Sequence, residues 1–343
     1  MRMPRTNLCC CRPQKMSRVF FVKARSAFTK NTNFLFRTIL LLLLAWAVQS
    51  AALQAAASPQ PAAPAGGFTF ALAADIRYFT GAGSYDLPQY FRGAVQQLKD
   101  LGGAAFLISP GDIDPPDGAR WTVDQVLGPA FRWVPVVGNH ELPDNGMELA
   151  SGANLAYLRA YDQGAVNPGP ADCPTTTFSF DYQNAHFAVL NEYCAAGGDD
   201  VTLGDISDEV YSWLAADLAG STQRHKFVIG HAPAYPLPDE DNGRLRHELD
   251  SLNQYPVHRD RFWSLLKTMG VAAYFCGHTH NFSAAQMDGV WQVDAGHARG
   301  LGDPGAPSTL VMVQVSSTAV VARTYRDDSN GGPYTLRHTD LLE

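Results

Sequence analysis

Five short apolar runs in this chain each end on a turn that carries metal-ligating side chains, and this pattern restricts the fold more than any other feature. FALAA is followed by Asp75, FLISPG by Asp112, PVVG by Asn139-His140-Glu141, FVIG by His231, and AYFCG by His278-Thr279-His280. Short runs rich in Val, Ile and Phe read as buried strands. In open α/β sheets, ligands sit beyond the carboxyl ends of the strands. The five ends therefore send Asp, Asp, Asn/His, His and His/His towards one edge. Gly111, Gly138, Gly230 and Gly277 stand just before four of these turns, where the chain must leave the strand sharply.

Strand and helix patterns alternate between and around these runs. Residues 68–74, 104–109, 133–137, 226–230 and 271–275 read as strands. Residues 88–101 (PQYFRGAVQQLKDL), 147–161, 208–219 (DEVYSWLAADLA) and 258–269 carry helical spacing. Residues 177–191 read as a hairpin turning on Gln183-Asn184. The tail reads as strands near 290–293, 309–315 and 319–325, an antiparallel meander. At 46% hydrophobic and 17% charged, the chain can fill a sizeable core. The expected fold is α/β, with two packed sheets and helices outside.

Residues 1–57 stand apart. They hold nine basic residues and no acidic one, then an apolar run, TILLLLLAWAV, and a small-residue stretch ending in Ala55-Ala56-Ala57. This is the pattern of a secretory signal cleaved before Ser58. The run is short for a membrane span, which needs about 20 apolar residues; the alternative is an uncleaved anchor extended through Leu53. Initiation at Met16 would shorten the long basic lead-in. Residues 58–66 (SPQPAAPAG) read as a flexible linker. Residues 67–343 would then form one folded domain.

The whole chain has 26 basic and 33 acidic residues, net −7. Without the leader's nine basic residues, 17 remain against 33, net −16. Such a surface repels nucleic acid and anionic lipid. No nucleic-acid partner is expected, nor stable membrane association once the leader is cleaved. A negatively charged substrate needs local positive charge, which bound metal ions supply. Cysteine usage agrees with export: opposed residues of the 177–191 hairpin sum to 367, and so do Cys173 and Cys194. Register and an oxidising compartment both favour a disulfide between them. Cys276 follows VAAYF and reads as a buried core thiol.

A lone Asp after a strand is usually a turn residue, and a lone His usually solvated. The combination is different. From residue frequencies, Gly-Asn-His-Glu arises by chance in roughly one chain per thousand of this length. Carboxylate, carboxamide and imidazole donors together suit Zn, Mn or Fe. There are too many for one ion, and a carboxylate can bridge two ions about 4 Å apart. No cysteine pair with metal-ligand spacing accompanies these turns, which argues against a structural zinc.

In the order D…GD…GNHE…GHAP…GHTH these motifs resemble the calcineurin-like metallophosphoesterases, the superfamily that includes purple acid phosphatases, from Phe68 to about Arg326. The resemblance implies a four-layer α/β/β/α sandwich and two divalent or trivalent ions of Mn, Fe or Zn. It implies that Asp112 bridges them, that Asp75 and His280 bind one, and that Asn139, His231 and His278 bind the other. It further implies in-line attack by a bridging hydroxide on a small phosphate monoester or diester. His140 would contact the phosphate or protonate the leaving oxygen. Glu141 is expected to orient His140.

Two departures from the family pattern stand out. Many members carry D-x-H at the first strand, whereas this chain has Asp75-Ile76-Arg77, and arginine cannot ligate a metal. Purple acid phosphatases carry a metal-binding Tyr where Pro115 stands, so tyrosinate colour is not expected; Tyr78 is not expected to replace it. Arg77 reads either as a phosphate clamp or as an outward ion pair. His297, in VDAGHARG, reads either as a substrate-pocket residue or as a plain loop histidine. Asp114, Asp117, Asp239 and Asp241 read as solvated loop charges. Loops 80–86, 143–152 and 236–255 carry no readable motif. The lost D-x-H histidine leaves an alternative open: a non-catalytic binding or scaffold protein with a degraded first metal position.

Overall fold

The computed structural model describes residues 67–77, 87–143, 152–164, 166–195, 198–199, 204–328 and 332–343. The leader, the linker, Tyr78 and loop 80–86 lie outside these residues, as do residues 147–151 of the helix expected at 147–161. In chain order the described elements are β1 (Phe68–Leu72), α1 (Phe91–Leu101), β2 (Ala104–Ser109), α2 (Pro116–Leu127), β3 (Arg132–Pro135), α3 (Ala153–Ala160), β4 (Asn167–Pro168), β5 (Phe178–Tyr182) and β6 (Ala185–Val189). Then come β7 (Cys194–Ala195), β8 (Gly198–Asp199), α4 (Asp208–Gly220), β9 (His225–Ile229), α5 (Pro256–Thr268) and β10 (Ala273–Cys276). The tail holds β11 (Phe282–Met287), β12 (Val290–Ala295), β13 (Thr309–Val315), β14 (Val320–Arg326) and β15 (Thr335–Leu341).

Two mixed sheets carry the architecture. One has the order β15-β14-β13-β1-β2-β3, the other β11-β12-β10-β9-β6-β5-β4. Strands β1, β2 and β3 run parallel, as do β6, β9, β10 and β12. Alternation along each strand sorts its side chains into layers. Phe68, Phe70 and Leu72 of β1, Phe106 and Ile108 of β2, Phe187 of β6, Phe227 of β9 and Phe275 of β10 fill the space between the sheets. The intervening Ala71 and Leu107 face outward, against Phe91, Val95 and Leu98 of α1 and Val123 of α2. On the opposite outer face, Val228 and Tyr274 meet Leu214 and Leu218 of α4 and Phe262 and Leu266 of α5. The result is the expected four-layer α/β/β/α sandwich.

Phe70 is the hub of the inner layer. Its ring lies 5.6 Å from Phe106, 5.2 Å from Phe187, 5.5 Å from Phe227 and 5.7 Å from Phe275, so one residue joins both sheets. Truncating it to Ala would cost about 3–5 kcal/mol. The helices follow local rules. α1 buries Phe91, Ala94, Val95 and Leu98, the spacing of one helical face. α4 starts at Ser207, whose hydroxyl accepts the Val210 N–H.

The hairpin pairs Tyr182 with Ala185 and Phe178 with Val189, the register set by a two-residue turn. Cys173 and Cys194 are disulfide-bonded, 6.0 Å apart at Cα, and Cys276 is a buried free thiol. Besides the two-residue strands β4, β7 and β8, three elements were not anticipated: α2, β11 and β15. Two of them lack a clean periodic signal. Trp121 is largely exposed on α2, and most of β15 is exposed as an edge strand. Among the described residues no helix is long and apolar enough to cross a membrane.

Candidate metal centre

The two sheets meet at the carboxyl ends of their parallel strands. β1 leads to Asp75, β2 to Asp112, β3 to a short turn over Asn139–Glu141, β9 to His231 and β10 to His278 and His280. The His278 backbone N–H donates to Asp75 Oδ2 at 2.8 Å, and the Gly277 N–H to the His231 carbonyl at 2.8 Å. Asp75, Asp112, His278 and His280 all adopt positive φ, between 51° and 71°. That conformation is uncommon for residues other than glycine and collects at functional sites. The preceding glycines are required by close approach. A Cβ on Gly138 would lie 2.5 Å from Asp112 Oδ1, and one on Gly277 2.5 Å from Asp75 Oδ2.

Two histidines have their tautomers set by what lies behind them. His231 Nδ1 is 2.8 Å from the Pro110 carbonyl and His278 Nε2 is 3.1 Å from the Asp250 carbonyl. A carbonyl only accepts, so these nitrogens carry the protons. The opposite nitrogens present lone pairs. His231 Nε2 lies 3.1 Å from Asn139 Oδ1, 3.2 Å from His278 Nδ1 and 3.3 Å from Asp112 Oδ1. His278 Nδ1 lies 3.2 Å from Asn139 Oδ1. Four lone-pair donors thus converge with no hydrogen between them. Ligands about 2.0–2.2 Å from a common ion stand at about this spacing from one another. The donors fit a transition-metal ion.

A second set lies beside the first. His280 Nδ1 is 2.7 Å from Asp303 Oδ2, and its Nε2 is 3.4 Å from Asp75 Oδ1. Asp75, Asp112 and His280 each offer one ligand atom within 4.8 Å of the others. Asp75 Oδ1 is buried and without a hydrogen-bond partner among the described residues. Burial, and then the carboxylates of Asp112 and Asp294, push Asp75 well above the usual carboxylate range. Burial would raise Asp112 too, but His231 and His140 beside it hold it well below that range. Burial keeps His231, His278 and His280 neutral by lowering each. Asp112 stands in both sets.

His140 Nε2 is 3.6 Å from Asp112 Oδ2, and its buried Nδ1 has no partner among the described residues. Burial draws it down to about 4. Arg77 is half-buried near Asp112 and Asp114; its charge helps lower Asp112 and opposes the burial that raises Asp114.

Several sequence expectations are corrected here. Glu141 does not orient His140. Its carboxylate accepts the backbone N–H groups of Gly138 at 2.7 Å, Asp112 at 3.0 Å and Ile113 at 2.7 Å, bracing the two turns. Burial, then Asp112, push it up to about 8. His297 is fully buried; its Nε2 is 3.0 Å from the Ala306 carbonyl, and the Arg299 N–H donates to its Nδ1 at 3.4 Å. Both ring nitrogens hold the turn, and neither is left for a substrate. Asp114 is buried and accepts from Asn154 Nδ2 at 2.9 Å. Asp239 is buried against Arg326 at 2.6 Å, and Arg326 also reaches Asp241 at 2.9 Å. Asp117 is exposed as expected, but it sits in the first turn of α2, and Asp241 is exposed but ion-paired.

The structure also adds residues that carried no readable signal. Segment 236–255 brings the Asp250 carbonyl to His278 and lays His247 over it, ring centroids 4.2 Å apart. His247, Asp250 and His278 form a further cluster within 4.8 Å. Glu192, buried, accepts the His231 N–H at 3.1 Å and the Ala232 N–H at 2.6 Å. Burial pushes it up to about 7. Arg299 is buried and adds a second guanidinium whose charge reaches Asp75 and Asp112. Their common difficulty is that isolated loop residues reveal their neighbours only once folded.

Comparisons with known proteins agree with this fold. The purple acid phosphatase PPD1 from yellow lupin (Lupinus luteus) seeds superposes with a TM-score of 0.54 at 15% identity, over 80% of this chain and 53% of that one. This chain therefore spans about half the length of the lupin protein. PhoD superposes with a TM-score of 0.52 at 15% identity, over 82% of this chain and 73% of that one. GAP50, the anchor in the inner membrane complex of Plasmodium, gives 0.51 at 12% identity, over 81% and 89%. At these identities the likeness is one of fold. No curated protein matches the sequence. The family model described as calcineurin-like phosphoesterase matches residues 68–282, well over half the chain, and spans every strand-end turn described above. The chain belongs to the calcineurin-like phosphoesterase family.

Proposed function

We propose that this chain is an exported, metal-dependent phosphoester hydrolase with two ion positions. One position is formed by Asn139, His231, His278 and Asp112. The other is formed by Asp75, His280 and the shared Asp112. The observation that carries the proposal is the convergence of four lone-pair donors at 3.1–3.3 Å, with the His231 and His278 tautomers set by backbone carbonyls. When bound, such ions supply positive charge against phosphoryl oxygens and acidify water for attack on phosphorus.

The chain's own groups divide the remaining work. Asp112 and Asn139 fix the spacing between the ion positions and His140. His140 sits beside Asp112, its Nε2 3.6 Å from the carboxylate, and its role is to contact the phosphoryl group and pass a proton to the leaving oxygen. Arg77 offers a planar fork to phosphate oxygens. His247 faces the same space from segment 236–255. The net −16 surface offers no anion attraction of its own, so substrate binding depends on these groups and the ions.

The Cys173–Cys194 bond supports an oxidising compartment. With the composition of residues 1–57 it supports export, with residues 58–66 as linker and 67–343 as the catalytic domain. The test is hydrolysis of p-nitrophenyl phosphate and its bis ester by protein loaded with Mn, Zn or Fe. Turnover of either ester supports the proposal, and the ratio between them separates monoesterase from diesterase. Well-folded protein inactive with every metal would favour a scaffold role on this fold.

A further inference from the structure

Asp303 stands where two loops meet behind His280. Arg244, from segment 236–255, donates Nη1 to Asp303 Oδ1 at 2.8 Å and Nη2 to Oδ2 at 3.2 Å. This two-pronged bond fixes the carboxylate plane. Arg244 is itself anchored: Nε donates to Asn281 Oδ1 at 2.7 Å and Nη2 to the His280 carbonyl at 3.0 Å. The far edge of Asp303 meets His280 Nδ1, at 2.7 Å from Oδ2. Arg246 reaches the same corner. Its Nη1 lies 3.3 Å from Asp303 Oδ2 and 2.5 Å from His280 Nδ1.

The two neighbours of His280 Nδ1 make opposite demands. Asp303 accepts, so its bond requires the proton on Nδ1 and leaves a lone pair on Nε2. That lone pair faces Asp75 Oδ1, 3.4 Å away. A guanidinium only donates. A bond from Arg246 to Nδ1 requires that nitrogen bare and moves the proton to Nε2, where it would stand against an ion. In a neutral imidazole only one of these holds at a time. The position served by His280 has few donors of its own (Asp75, Asp112 and His280), so it is the one that a change of tautomer would empty.

We propose that Asp303, locked by Arg244, is the positioning residue of this ion position: it keeps the His280 proton on Nδ1 against the competing donor Arg246. The inference rests on the proposed two-ion centre. Carboxylates behind ligating histidines are worth about 10–100-fold in metal affinity, and the rival arginine gives this one a distinctive signature.

The experiment titrates Mn²⁺ and Zn²⁺ into metal-free full-length protein, counting ions per chain and their dissociation constants. Wild type should bind two. Asp303→Ala should keep one ion and weaken the other by about 10–100-fold. Asp303→Ala/Arg246→Ala should recover most of that loss, because the competing donor is gone, and Arg246→Ala alone should not weaken binding. Asp303→Leu, which keeps the branched shape and removes the acceptor, carries the same comparison if the alanine variant fails to fold. Imidazole ¹⁵N shifts should place the His280 proton on Nδ1 in wild type and on Nε2 in Asp303→Ala. Wild-type affinity at both positions in Asp303→Ala would overturn the proposal. So would a double variant no better than the single one. Wild type that binds no ion would overturn the metal reading itself, and the inference with it.

Discussion

His231 Nε2 and Asn139 Oδ1 stand 3.1 Å apart with no hydrogen between them, because the His231 proton is held on the other side of the ring by the Pro110 carbonyl. Two acceptors at that distance repel unless a cation lies between. Asn139→Ala should therefore empty this ion position and lower kcat/KM by more than the roughly 100-fold typical of residues behind a ligand. Elemental analysis of the purified variant should show one ion fewer per chain.

His140→Ala should separate from it. Among the described residues the His140 ring is bound to neither backbone carbonyl nor ligand imidazole, and its Nε2 lies 3.6 Å from Asp112 Oδ2. The variant should retain its ions and lose about 10²–10⁴-fold in kcat, the range of an acid–base group. Loss of ions from this variant would make His140 a ligand instead.

Glu141→Ala should damage stability and the centre together. Three buried backbone N–H groups would lose their acceptor. Each orphaned buried donor costs about 1–3 kcal/mol, so a loss of about 3 kcal/mol or more is expected. Urea unfolding measures it; a change under about 1 kcal/mol would show that water replaces the carboxylate.

The pH dependence of stability should carry a signature from His186, remote from the metal residues in sequence. Its Nδ1 lies 2.7 Å from Asp181 Oδ1 and its Nε2 2.7 Å from Asp217 Oδ2, joining the β5–β6 hairpin to α4. Burial alone would lower its pKa, but these two carboxylates outweigh burial and raise it above 6.5. A group raised on folding stabilises fully below its unfolded pKa, and the effect is lost as pH rises through the folded value. The gap in Tm between wild type and His186→Gln should therefore be wide near about pH 5.5 and narrow near about pH 9. A gap that widens with pH would show that the ring is neutral.

The Cys173–Cys194 bond closes a loop of 21 residues beneath α4. Cys173→Ser/Cys194→Ser should lose about 3 kcal/mol, by the chain-entropy argument, read as a fall in Tm matched by reduction of the wild type.

The strand-end turns of the candidate centre were legible in the sequence because apolar strand, glycine and polar donor follow one another locally. β2 and β13 fall where their apolar runs placed them, and the hairpin register followed from a two-residue turn. The groups behind the ligands were not legible. Asp250 serves through its carbonyl, which carries no side-chain signal. Asp303 lies 23 positions from the histidine it holds. Asp239 read as solvated because nothing local announces Arg326, 87 positions away. His297 and Glu141 looked like site residues by proximity in sequence, yet folding spends both on backbone hydrogen bonds. β15 escaped because an exposed edge strand needs no apolar alternation.

The measurement closest to the central claim couples metal content to turnover in one preparation. Purified protein stripped by a chelator should lose hydrolysis of p-nitrophenyl phosphate esters. Activity should return on adding Mn, Zn or Fe, saturating at two ions per chain. Folded protein that takes up no ion, or that hydrolyses these esters equally well when stripped, would contradict the account.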